Sequence, residues 1–208
     1  MINNKLKYEK KYLKSGYKYI CGIDEVGRGC LFGPVTAAAV IMSLSLNDNK
    51  NIIKGIEDSK KLSPKIRAEL SKTIIEKSIA YSIYSVSEKI IDEINILNAT
   101  KLAMIKAIEN LKIKPDILFI DALKLDIDIK QVSIIKGDSK SYSIGCASIL
   151  AKVSRDETMN NLPEKYQKYK ISKNKGYGTK EHLEAIEKYG PSDKHRFTFE
   201  PIKSYNHK

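Results

Sequence analysis

Apolar and polar residues fall into short strand-like runs separated by longer stretches of helical spacing. Tyr19–Ile23 reads as a strand with Tyr19, Cys21 and Ile23 on one face, and Val35–Met42 as a second, small and apolar strand. Ser63 followed by Pro64 gives an N-cap and a first helical position, so a helix is predicted through "PKIRAELSKTIIEKS". Ile79–Val86 alternates apolar with polar and is predicted as a strand. Ser87 caps a further helical stretch, interrupted near Asn95–Asn98. "PDILFIDA" is a short continuous apolar run after a proline, the mark of a buried strand, and "VSIIKGD" reads as another. "SYSIGCASILAKVSRDETM" is a helix whose small residues permit close packing, and "TKEHLEAIEKYG" is a helix with Gly190 as its stop.

Strands come first and then mix with helices, so the fold class is α/β with a mixed sheet. After about Met159 the pattern holds helix and loop only, which predicts an α/β core over 18–158 and a small C-terminal helical appendage over 159–208. No apolar run approaches the roughly 18 residues of a membrane span, and the Lys-rich N-terminus lacks the apolar core of a secretory signal. A cytoplasmic location is the resulting expectation. The three cysteines, Cys21, Cys30 and Cys146, have no C-x-x-C spacing and lie in apolar or glycine-rich surroundings, so they are expected to pack.

Charge changes the picture. The formal net charge is +12, an excess that favours a polyanionic partner, chiefly nucleic acid, with a Lys-heavy composition serving solubility as the alternative. Residues 1–18 carry six Lys against one Glu, and 161–208 carry eleven Lys or Arg against six acids. The ends are basic, and the informative acids lie between them.

Three apolar segments run into acids: "ICGIDE", "ILFIDA" and "SIIKGDS". They supply Asp24 and Glu25, Asp121 and Asp138. A carboxylate beside a core is costly unless compensated, and several at one sheet edge repel each other. Divalent cations relieve that repulsion, and hard oxygen donors suit Mg²⁺ or Mn²⁺. Two such ions would activate a water and stabilise the leaving oxygen of a phosphodiester. A single strand-end Asp capping a turn is the competing reading. Asp156 in "VSRDE" rivals Asp138 as fourth ligand, against a local pair with Arg155 or Lys152.

Gly27, Arg28 and Gly29 form a loop where the main chain can approach a ligand closely, or simply a tight turn. Lys60, Lys61 and Lys140 follow loop signals and could meet phosphates as point charges, with a solvated surface lysine as the alternative for each. Tyr177 stands between Gly176 and Gly178, presented for stacking on a sugar or base, with a hydrophobic anchor as the alternative. Arg196 in "DKHRFTFEP" meets phosphate or pairs with an acid; the three histidines show no metal spacing. No phosphate-binding G-x-x-x-x-G-K-[ST], G-x-S-x-G or H-E-x-x-H motif occurs.

Taken in order, "GIDEVGRG", "GPVTAAAV", "DSKKLS", "INILNATKLAM", "FIDAL", "KGDSKSYSIGCASILAKVSRD", "GYGTKEH" and "HRFTFEP" closely resemble ribonuclease HII, the bacterial type 2 RNase H, from about Lys18 to Lys203. The resemblance implies an RNase H-like fold with a C-terminal helical part. It implies endonucleolytic cleavage of RNA in RNA–DNA hybrids, and cleavage 5′ to a single ribonucleotide embedded in duplex DNA. The family's acid tetrad falls on Asp24, Glu25, Asp121 and Asp138, its 2′-hydroxyl-sensing loop on Gly27, Arg28 and Gly29, and its sugar-stacking tyrosine on Tyr177. Cys30 and Phe32 stand where many relatives carry Pro and Ala. A monomer is expected, and no sliding-clamp docking motif is recognisable at the C-terminus.

Overall fold

A computed structural model describes residues 5–46, 50–56, 59 and 62–207. Lys60 and Lys61, expected at phosphates, lie outside the described residues.

The described residues open with a helix that the Lys-dense sequence hid, α1 (Lys7–Lys14). Its apolar face places Tyr8, Tyr12 and Leu13 against Phe119 and Ile144, while the lysines face away. Strands β1 (Ile20–Val26) and β2 (Val35–Met42) follow, then helix α2 (Pro64–Lys77), β3 (Ser78–Val86) and helix α3 (Glu88–Glu109). Ser63 and Ser87 cap their helices as predicted, accepting from the main-chain N–H of Ile66 and Ile90. Helix α3 is broken where the asparagines suggested: Asn95 has φ 65°, and its side chain accepts from Asn98 N. Next come β4 (Ile117–Asp121), β5 (Lys130–Ile134), a one-turn helix α4 (Gly137–Lys140) and the long helix α5 (Tyr142–Asn160). The C-terminal part holds a 3₁₀ turn (Glu164–Tyr169), α6 (Ile171–Asn174), α7 (Lys180–Tyr189) and a last 3₁₀ turn (Ile202–His207), and among its described residues there is no strand, as expected.

The five strands lie in the order β3-β2-β1-β4-β5. β1–β2 and β2–β3 are antiparallel, whereas β1–β4 and β4–β5 are parallel, so the sheet is mixed. Alternation along β2 sends Val35, Ala37, Ala39 and Ile41 towards α3, and Ala38, Val40 and Met42 towards α2 and α5. Both faces are covered, which explains a strand apolar at every position. Gly22 sets the closest approach: a Cβ there would stand 2.1 Å from the carbonyl carbon of Ser143, so only glycine lets the start of α5 cross β1. A separate apolar cluster around Phe32, Met159, Tyr169 and Ile186 ties the C-terminal part to the loop after β1. Among the described residues no helix is long and apolar enough to cross a membrane.

Candidate active site

β1 extends past the predicted Ile23 and carries Asp24 and Glu25 inside the strand. Neighbouring strand residues point to opposite faces, so the two acids straddle the sheet edge instead of stacking on one side. Parallel pairing sets Ile23 opposite Ile120, which brings Asp121, the last residue of β4, to the same edge. Carboxyl ends of parallel strands are where open α/β sheets leave a crevice. Asp138 is not at a strand end as predicted: β5 stops at Ile134, Lys136 turns the chain with φ 57°, and Asp138 rides on α4.

All four acids line one cleft of about 630 Å³, together with Gly27, Arg28, Gly29, Ser59, Arg67, Ser148, Lys152 and Tyr177. Each carboxylate has its own partner. Asp24 accepts from Glu25 N, Asp121 from Gly137 N and Asp138 from Ser139 N, each at 2.8 Å. Glu25 Oε1 lies 3.4 Å from the Arg28 guanidinium, while its buried Oε2 has no hydrogen-bond partner. Asp24 is 6% exposed. Burial first, and then the charges of Glu25 and Asp121, hold its carboxyl well above the usual range. Burial also raises Glu25, with Arg28 pulling the other way.

Among the described residues, no three acid, imidazole or thiol groups stand close enough to cage a metal as placed. The donor set nevertheless suits one. It is all oxygen and faces a common space, it is short of compensating charge, and it includes an orphaned buried carboxylate oxygen. A hard divalent cation fits those residues.

The other wall is built from main chain. Gly27 has φ +94°, and a Cβ there would stand 2.3 Å from Arg155 Nε. Arg155 is fully buried and donates to the carbonyls of Pro34, Lys175 and Phe32 at 3.0, 2.8 and 3.1 Å. Arg196 is equally buried and donates to Gly33, Arg28 and Gly27 at 2.9, 2.8 and 2.7 Å. That corrects the expectation for Arg196, which neither meets a phosphate nor pairs with an acid: all three of its nitrogens are used behind the Gly-Arg-Gly loop. Tyr177 is 38% exposed on the cleft wall, between Gly176, whose carbonyl accepts from Leu31 N, and Gly178. Lys140 is exposed at the end of α4 and is not among the residues lining the cleft.

Asp156 is paired with Lys152 at 2.6 Å and Arg67 at 3.6 Å and does not line the cleft. Sequence reasoning missed Ser59, Arg67, Ser148 and Lys152 as cleft residues. It also missed the bracing role of Arg155. A signal for Arg155 existed: Ala147, Ala151, Arg155 and Met159 form one buried stripe at helical spacing, with a single cation in it.

The model of the ribonuclease HII family matches residues 21–201. A ribonuclease HII of Caldicellulosiruptor bescii is 57% identical over 197 residues, 94% of this chain and 93% of that protein. That of Bacillus subtilis is 48% identical over 202 residues, 97% of this chain and 77% of the relative. Among solved structures, the ribonuclease H2 of Pyrococcus horikoshii OT3 matches with a TM-score of 0.70 at 26% identity, covering 90% of this chain and 97% of the archaeal one. An RNase H-like fold with an acid-lined cleft thus defines a ribonuclease H, a hydrolase acting on RNA–DNA hybrids. The chain belongs to the ribonuclease HII family.

Proposed function

We propose that the cleft cuts the RNA strand of hybrids and also cuts 5′ to a single ribonucleotide embedded in duplex DNA, leaving 3′-hydroxyl and 5′-phosphate ends and so serving ribonucleotide removal from DNA. The observation that carries this reading is the shared cleft: four carboxylates on one side and a main-chain loop with an exposed tyrosine on the other. Asp24, Glu25, Asp121 and Asp138 hold two Mg²⁺ or Mn²⁺ ions. Those ions, when bound, supply a nucleophilic water at neutral pH and charge stabilisation at the leaving oxygen.

The chain's own residues then have separable tasks. The unpartnered Glu25 Oε2 and the buried Asp24 offer charge that nothing in the protein fully offsets. Gly27, Arg28 and Gly29 bring main-chain groups to the 2′-hydroxyl, the group that distinguishes RNA from DNA. Tyr177 stacks on the sugar, so that the scissile linkage lies over the acids. Arg28 also screens Glu25, and exposed lysines such as Lys140 attract the backbone phosphates. Residues 18–158 act as the catalytic core, and 159–208 hold the substrate against it.

Cleavage-site mapping on a duplex with one ribonucleotide, with and without divalent ion, tests the reading. A single cut 5′ to the ribonucleotide, dependent on the ion, is expected. Equal cutting of an all-DNA duplex overturns the ribose requirement, and full activity in EDTA overturns the metal role.

A further inference from the structure

His182 on α7 and His195 in the turn after it are both fully buried, yet neither touches the acids. Their Nε2 atoms stand 3.2 Å apart. His182 Nδ1 lies 2.9 Å from the carbonyl oxygen of Tyr177. His195 Nδ1 lies 2.9 Å from Ser192 N and 2.9 Å from the Ser192 hydroxyl.

A main-chain N–H only donates, and that fixes every proton in the series. Ser192 N–H points at His195 Nδ1, so that nitrogen is bare and the ring proton sits on Nε2. His195 Nε2–H then donates to His182 Nε2, which must also be bare. His182 therefore carries its proton on Nδ1 and donates it to the Tyr177 carbonyl. Hydrogen bonds run one way, from Ser192 to Tyr177. An added proton has no place in the chain: on His182 Nε2 it would face the Nε2–H of His195, and on His195 Nδ1 it would face the N–H of Ser192. Burial lowers both rings, and together with the facing His182 it pushes His195 down to about 4, so the pair is neutral near pH 7. Phe32 and Tyr169 present ring edges to His195 at 5.0 and 4.9 Å, which closes the pair off from water.

Arg196, the next residue, holds the carbonyls of Gly27 and Arg28. Two adjacent residues of one turn therefore reach the two recognition elements of the cleft, one through its side chain and the other through a second histidine. Main-chain bonds stiffen the turn: Arg196 N donates to Leu31 O at 2.9 Å, and Gly33 N to Lys194 O at 2.9 Å.

We propose that His182 and His195 are positioning residues for ribose recognition, setting Tyr177 in register with the Gly-Arg-Gly loop through the brace completed by Arg196. The proposal rests on the reading that Tyr177 and that loop meet the ribose.

Two measurements test it. The protein has three histidines, so long-range ¹H–¹⁵N spectra of the histidine-labelled full chain at pH 7 are tractable. His182 is expected as the Nδ1–H tautomer and His195 as Nε2–H; a His182 proton on Nε2 overturns the chain. The second is turnover, well below each variant's unfolding midpoint, on a duplex with one ribonucleotide. Losing a buried hydrogen bond that fixes Tyr177 should lower kcat about tenfold in His182→Leu, with duplex binding changed less than about twofold. His182→Asn keeps a donor near the Nδ1 position and should recover most of that loss. Wild-type kcat in His182→Leu, or no recovery in His182→Asn, overturns the proposal. If His182→Leu does not fold, His195→Gln carries the test, and unchanged kcat overturns it. Tyr177→Ala, run in parallel, separates the layers. Normal cleavage by Tyr177→Ala removes the ribose reading, whereas impaired Tyr177→Ala beside unaffected histidine variants removes only the brace.

Discussion

The two walls of the cleft solve opposite problems. On the sheet side, Asp24 is buried and Glu25 half-buried, their carboxyls are raised, and Glu25 Oε2 lacks a partner. On the loop side, every nitrogen of Arg155 and Arg196 donates to a main-chain carbonyl, and the neighbouring histidines are matched proton for proton. One wall is left electrostatically incomplete and the other is over-determined. The first suits a site whose charge balance is completed by what binds there. The second suits a site that must measure a small difference in shape, one hydroxyl, and so cannot afford to move.

The largest effect should come from the incomplete wall. Asp24→Asn is expected to reduce cleavage to the detection limit while hybrid binding stays largely intact. The same substitution should raise the unfolding midpoint of the metal-free protein by a few degrees, because it removes a buried charge repelled by Glu25 and Asp121. Asparagine still accepts from Glu25 N, so the local geometry survives. Calorimetry beside single-turnover cleavage reads both quantities. Retained turnover, or a lowered midpoint, would break the contrast between the walls.

The braced wall should fail through stability first. Arg196→Met strips the donor from the carbonyls of Arg28 and Gly33 and leaves that of Gly27 with only the 3.4 Å bond from Cys30 N, a loss of about 3 kcal/mol in urea unfolding. Arg196→Lys should restore little of it, since one ammonium on a flexible stem cannot serve three carbonyls fixed for a planar fork. Full recovery by lysine would reduce the brace to a simple charge.

The walls also differ in how plainly the sequence shows them. The acids were legible because a carboxylate at the end of an apolar run contradicts its surroundings, and Asp24, Glu25 and Asp121 stand at the edge that placement implied. Asp138 reached the cleft by another route, on a helical turn four residues past β5, because an αL residue at Lys136 redirects the chain. The brace was hardly legible. Arg196 read as a phosphate contact because a cation beside a loop looks the same in sequence whether it faces water or a set of carbonyls. His182 and His195, thirteen residues apart, have no spacing that marks a pair; the turn at Ser192 brings them together. Helix α1 escaped for a third reason: its lysines dominate the composition, and its buried Glu9, which accepts from Ser141 Oγ at 2.6 Å and Ser143 N at 3.0 Å, caps α5 from outside the local sequence.

The smallest effect sharpens the comparison, because the walls should answer acid in opposite senses. His195 has a folded value near 4 against 6.5 for the free side chain, so between those values the unfolded chain binds a proton that the native state refuses. Its contribution is present above about pH 6.5 and is lost as the pH falls towards about 4. Asp24 and Glu25 are raised, so over the window above their ordinary values the native state binds protons the unfolded chain does not. Their contribution is present at low pH and is lost as the pH rises through their raised values. In the metal-free protein the two slopes partly cancel between about pH 4 and 6.5, and stability should vary weakly there. Asp24→Asn removes part of the compensating uptake, so its stability should fall more steeply on acidification than that of the unaltered chain. Urea unfolding at pH steps through that range measures both slopes. Parallel curves would mean that the carboxylate wall carries no excess charge when empty of cations, and the proposed division between an incomplete wall and a braced one would lose its electrostatic half.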